Sequence, residues 1–200
     1  MSQYRTIWVL RGDLSVDDER GLVRTAEEDY ALLLESYKHY SGTLDTKYYN
    51  LALLREATSK NAFLYLVKDP GTAAIAWHSH ADSAGAIYAA GRASITPGDI
   101  KQSGVSPYLA FVALLGCQVG RFKKEWVASL GLDRFGDGSR RLAASSTNVS
   151  LYEESNPIPG RGVISSWPRR FVENGATRLE LAQAYHFSDW VDMLPRVPQQ

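Results

Sequence analysis

Hydrophobic positions in this chain alternate between short continuous runs and longer stretches in which they recur every three or four residues. The continuous runs are Thr6 to Leu10 (TIWVL), Ala73 to Trp77 (AAIAW) and Leu109 to Leu115 (LAFVALL). The last two are bounded by Gly, Pro, Ser or Asp, as suits strands buried on both faces. Leu22, Val23, Ala26, Tyr30, Leu33 and Leu34 predict a helix from Val16 to about Tyr37, with Ser15 as its cap. Tyr48, Leu51, Ala52 and Leu54 predict a second helix within Leu44 to Ser59. Asn61 to Val67 fits a short strand or a helical turn, ahead of the strong turn signal Pro70-Gly71.

Small residues follow the second run. They predict a β-ribbon arm at Ile87-Tyr88, turned at Ala90-Gly91 and returning through Ala93 to Ile95. Thr96-Pro97 reads as a helix start, with Thr as cap and Pro at the first helical position. Phe122, Trp126, Val127 and Leu130 stripe a helix over Arg121 to Leu130, closed by Gly131. Leu142 to Val149 reads as a further strand. Glu153 to Arg170, with Pro157, Pro159 and Pro168, is the most loop-like stretch, and Arg178 to Leu194 has mixed periodicity. Strands alternating with helices predict a single α/β domain whose mainly parallel sheet is flanked by helices. Its core is expected at about 6–150, with a loop-rich extension at about 151–200.

Composition narrows the function. The 200 residues carry 22 basic and 22 acidic side chains, for a formal net charge of zero. The charges are interspersed, so neither nucleic acid nor a membrane surface is an expected partner. The single cysteine excludes an internal disulfide. The apolar run in MSQYRTIWVLRGD is too short for a signal peptide or a bilayer span, so a cytoplasmic location is expected. Arg11-Gly12-Asp13 reads as a polar turn after the first strand, and Asn148-Val149-Ser150 matters only in a secreted protein.

Candidate chemistry gathers where two apolar runs end. The first leads into His78-Ser79-His80, the second into Gly116-Cys117. In an open α/β sheet, ligands bind beyond the carboxyl ends of strands. A thiol at a strand-to-helix turn sits near the positive helix end, which favours a thiolate. Gly116 lets substrate and backbone approach closely. Backbone N–H groups at the turn can hold an oxyanion, and a histidine ending a neighbouring strand can serve as acid or base. The residues therefore allow a Cys–His dyad that needs no cofactor or metal.

Ser79-His80-Ala81-Asp82, the arm at Gly85 to Tyr88, ITPGDI at Ile95 to Ile100 and ALLGCQVG at Ala113 to Gly120 together resemble the caspase-fold cysteine peptidases. The resemblance implies a caspase-like sheet and a cysteine endopeptidase acting on a protein or peptide substrate, or on itself. It implies that His80 is the catalytic histidine and Cys117 the nucleophile. The N–H groups of Cys117 and of Ala81 or its neighbour would hold the oxyanion. Gly116 matches the small residue before the nucleophile. Ala81 stands where that family carries glycine. His78 is a further candidate for orienting His80 or contacting substrate, and Asp82, Glu153 and Glu154 are candidates for an acidic substrate-binding pocket.

Two other readings compete. His-x-His along a strand puts both imidazoles on one face. That resembles the JAMM metalloproteases, whose remaining ligands would map to Thr96 and Asp99, with Glu35 or Glu56 upstream; His39 and His186 are the other histidines. The third reading is an inactive caspase-like binding or signalling module, for which tyrosine and tryptophan supply interface surface.

Overall fold

The computed structural model describes residues 5–13, 26, 27, 30, 49–136 and 141–144. Among the described residues five parallel strands form the central sheet: β1 (Arg5–Arg11), β2 (Tyr49–Leu53), β3 (Thr72–His78), β6 (Phe111–Leu115) and β7 (Leu142–Ala144), in the order β2-β1-β3-β6-β7. Between β3 and β6 the chain makes an antiparallel hairpin, β4 (Ile87–Ala89) with β5 (Ala93–Ile95). Three α-helices lie wholly within the described residues: α1 (Lys60–Lys68), α2 (Pro97–Ser103) and α3 (Lys123–Ser129). The α/β class and mainly parallel sheet follow directly. The expected helix over 16–37, the remainder of the strand to Val149 and the extension from 151 lie largely or wholly outside the described residues.

Every side chain of β3 and β6 is buried, which explains their uninterrupted apolar character. Register places Leu10 beside Trp77, Arg11 beside His78, and His78 beside Leu115. Phe63 of α1 meets the Trp77 ring edge-on, with centroids 4.6 Å apart, and so seats α1 on the sheet. Asn61 to Val67 resolves as helix. Ser59 caps it by accepting from the Ala62 N–H, and Phe63, Leu66 and Val67 form the buried stripe.

The second expected helix is corrected. Tyr49–Leu53 is a strand, paired in parallel to β1 with Ile7 beside Leu51 and Val9 beside Leu53. Five residues are too few for helical spacing to outweigh a neighbouring strand's unpaired edge. The helix after Cys117 also differs: a 3₁₀ turn, Val119–Phe122, precedes α3. Among the described residues no helix is long and apolar enough to cross a membrane.

Thr96 and Asp99 form a reciprocal capping box at α2, and Lys60 donates to Asp99 Oδ1 at 2.7 Å. Burial pulls the Asp99 carboxyl upward. Lys60 and the Thr96 N–H and hydroxyl outweigh it and hold the carboxyl below its ordinary range. A lowered folded value means stability that is present above the unfolded value and lost as pH falls through the folded one. Asp99→Asn is therefore expected to cost about 0.5–1 kcal/mol near neutral pH. In urea denaturation the gap to wild type should close below about pH 4. A gap unchanged down to that acidity refutes the assignment.

Candidate functional site

His78 is the last residue of β3 and is fully buried, with Nδ1 3.1 Å from the Leu10 carbonyl. The strand ends there, and Ser79 and His80 follow it outside any named strand. From inside the protein His78 ties β3 to β1. His80, in contrast, is partly exposed. Its main chain is firmly held. Trp77 Nε1 donates to Ser79 Oγ at 2.8 Å, the Ser79 hydroxyl donates to the His80 carbonyl at 2.8 Å, and the Tyr88 N–H donates to the same carbonyl at 3.1 Å.

Ala81 bridges Ile87 across the root of the hairpin. The bonds around that bridge are Tyr88 N–H to the His80 carbonyl and Asp82 N–H to the Ala86 carbonyl, so the Ala81 N–H is not consumed by it. Among the described non-glycine residues only Arg92 and Gln118 have positive φ, so alanine at position 81 sits without backbone strain.

Asp82 folds the next turn on itself. Its Oδ1 accepts the N–H groups of Ala84 and Ala86, each at 2.9 Å, and the Tyr88 hydroxyl donates to Oδ2 at 3.3 Å. Asp82 thereby positions the turn and the hairpin through both of its carboxylate oxygens. Gly85 in this turn has φ of 82°, and a Cβ there would lie 2.2 Å from Phe122 Cδ2. Trp126 Nε1 donates to the Gly85 carbonyl at 3.0 Å. The loop after β3 is thus fastened to the segment that follows Cys117.

Gly116 and Cys117 directly follow β6. The Ser79 N–H donates to the Leu115 carbonyl at 3.4 Å. A Cβ on Gly116 would stand 3.1 Å from both the Ala81 Cβ and the Ser79 carbonyl oxygen, so the Cys117 turn and the His80 loop abut. Cys117 is a half-buried thiol outside any disulfide. Gln118, directly after it, adopts a left-handed conformation (φ 59°, ψ 2°), at a cost of about 1–3 kcal/mol for a residue with a side chain. The structure therefore sets Gly116 against Ala81 and the Ser79 carbonyl, so that the segments carrying Cys117 and His80 lie against one another.

A cleft of about 470 Å³ opens beside His80, lined among the described residues by Asp13, His80, Tyr88 and Arg92. That is an ordinary size for a ligand pocket. Asp13 directly follows the Gly12 turn after β1, and its N–H donates to the Tyr88 carbonyl at 2.8 Å. Arg92 Nε lies 3.5 Å from Asp13 Oδ2. Burial, joined by the charge and hydrogen bond of Asp82, pushes the Tyr88 phenol above its ordinary value and keeps it a neutral donor. Asp13, Tyr88 and Arg92 were not among the expected site residues. The signal for Asp13 was its place just past the first strand, where the sequence reads only as a turn.

Thr96 and Asp99 are engaged in the capping box and the Lys60 ion pair. Among the described residues no group of three or more His, Cys, Asp and Glu side chains is arranged to hold a metal ion. Glu35, His39, His186, Glu153 and Glu154 lie outside the described residues. No protein-family model matches the chain, and no curated protein or solved structure shows significant similarity to it.

Proposed function

We propose that the chain is a caspase-like cysteine endopeptidase in which Cys117 is the nucleophile and His80 the acid and base. The observation that carries this reading is the abutment of the two loops. Two adjacent parallel strands end side by side, and the missing Cβ of Gly116 lets the Ala81 segment lie against the cysteine turn. The sheet order, with a hairpin between the histidine strand and the cysteine strand, fits the same reading.

The reaction runs in two halves. Cys117 Sγ, as thiolate, attacks the scissile carbonyl carbon and forms an S–C bond. The carbonyl electron pair moves to oxygen, where the N–H groups of Ala81 and Cys117 stabilise the charge. As that pair returns, the C–N bond breaks, and protonated His80 gives its proton to the leaving amine. Neutral His80 then takes a proton from water. The hydroxide equivalent attacks the thioester, and the carboxylic acid product leaves with the Cys117 thiolate restored and His80 reprotonated.

The experiment is chemical modification during cleavage of a peptide library. Iodoacetamide is expected to alkylate Cys117 and abolish cleavage in proportion to labelling, while a chelator leaves the activity intact. Activity that survives full alkylation overturns the dyad. Activity lost to a chelator and restored by zinc favours a metal-dependent hydrolase instead. No cleavage of any library member favours the binding module.

A further inference from the structure

We infer that the cleft beside His80 selects a basic substrate side chain, with Asp13 as the fixed anion and Arg92 as an internal stand-in that the substrate's cation displaces. This inference rests on the peptidase reading and extends it to substrate class. Its first support is topological. From β1 the chain goes outward to β2 on one side, whereas from β3 it goes by way of the hairpin to β6 on the other. Neighbouring parallel strands whose connections depart in opposite directions leave a crevice at their carboxyl ends. Asp13 and His80 each stand two residues past the ends of those two strands, and both line the cleft. Cys117, past the end of β6, lies on the other side of His80 in the strand order.

The second support is the inequality of the two charges. The Asp13 side chain is 19% exposed, and its backbone is fastened to the Tyr88 carbonyl. The Arg92 side chain is 77% exposed and reaches down from the hairpin turn. An exposed ion pair of this kind adds little to stability. The arginine is therefore the member that can be exchanged, and the sheltered carboxylate is the permanent one. A substrate guanidinium or ammonium entering the cleft replaces the cation already there and lies beside the Tyr88 ring, whose hydroxyl is tethered to Asp82. An acidic side chain would face the Asp13 carboxylate.

The test measures binding apart from cleavage. Full-length protein carrying Cys117→Ala is titrated calorimetrically with the methylamides of N-acetyl-arginine, N-acetyl-norleucine and N-acetyl-aspartate. The arginine probe is expected to bind at least about tenfold more tightly than the other two. Asp13→Asn should remove that preference, Asp13→Glu should retain it, and Arg92→Ala should tighten arginine binding severalfold. Circular dichroism of each variant verifies the fold. Preference for the aspartate probe, lost in Arg92→Ala, overturns the inference, as does equal or absent binding of all three. Cleavage after apolar or acidic residues, unchanged by Asp13→Asn, overturns the subsite and leaves the peptidase. Arginine binding by a protein that cleaves no arginyl peptide keeps the cleft's preference but overturns the peptidase reading.

Discussion

Cys117→Ala and His80→Ala are each expected to lower peptide cleavage by at least about 10³-fold while the folded protein persists. On the proposed reading each removes one half of a unit that works only as a pair, so the double variant should be scarcely worse than either single one. Stability should survive for a structural reason. The main-chain bonds that hold residue 80 in place, from the Ser79 hydroxyl and the Tyr88 N–H to its carbonyl, do not involve the imidazole. Cys117 is only half-buried, and alanine fills most of its volume. Steady-state cleavage and thermal melting of the same preparations provide the check. A Cys117→Ala protein with full activity would remove the nucleophile from consideration, and one that fails to fold would make the thiol structural.

Gly12→Ala is expected to have the largest effect on stability, about 3 kcal/mol or more. The added Cβ would lie 1.9 Å from the Tyr88 carbonyl oxygen and 2.5 Å from Trp77 Cζ2. Both neighbours are fixed: Trp77 is fully buried, and Tyr88 belongs to β4. The clash therefore separates the hairpin from β1 and breaks the Asp13–Tyr88 backbone bond that closes one wall of the cleft. Gly98→Ala is a suitable control, since its Cβ would meet only Thr96 Oγ1 at 3.5 Å. Urea denaturation of both variants tests the point, and a Gly12→Ala protein within about 0.5 kcal/mol of wild type refutes it.

Much of the frame was legible from residue patterns. β1, β3 and β6 announce themselves as buried runs, the hairpin by Gly91 at its turn, and α2 by Thr96-Pro97. The failure at Tyr49–Leu53 had consequences beyond one element. With that stretch read as helix, no strand stood outside β1 and the reversal of connections between β1 and β3 was hidden. Asp13 then reads as a turn residue instead of a wall of the crevice. The two histidines were inseparable by spacing alone, because strand periodicity assumes that the strand continues. β3 ends at His78, and only the three-dimensional path shows one ring buried and the other facing the cleft. Arg92 carried no pattern at all, since its partner lies 79 positions away in sequence (Asp13 to Arg92).

The strand order also bears on when the site comes into being. Parallel neighbours cannot zip up through tight turns. Each pairing waits for an intervening segment to be made and folded, and such non-local contacts form slowly. A chain emerging from the ribosome presents residue 13 first, residue 80 much later and residue 117 last of these, and β6 must still dock on β3 before the segments that carry residues 80 and 117 can abut. Until then the nascent chain carries a cysteine without a working partner. On the proposed reading, the molecule is spared its own chemistry during synthesis by topology alone, with no pro-segment required for that interval.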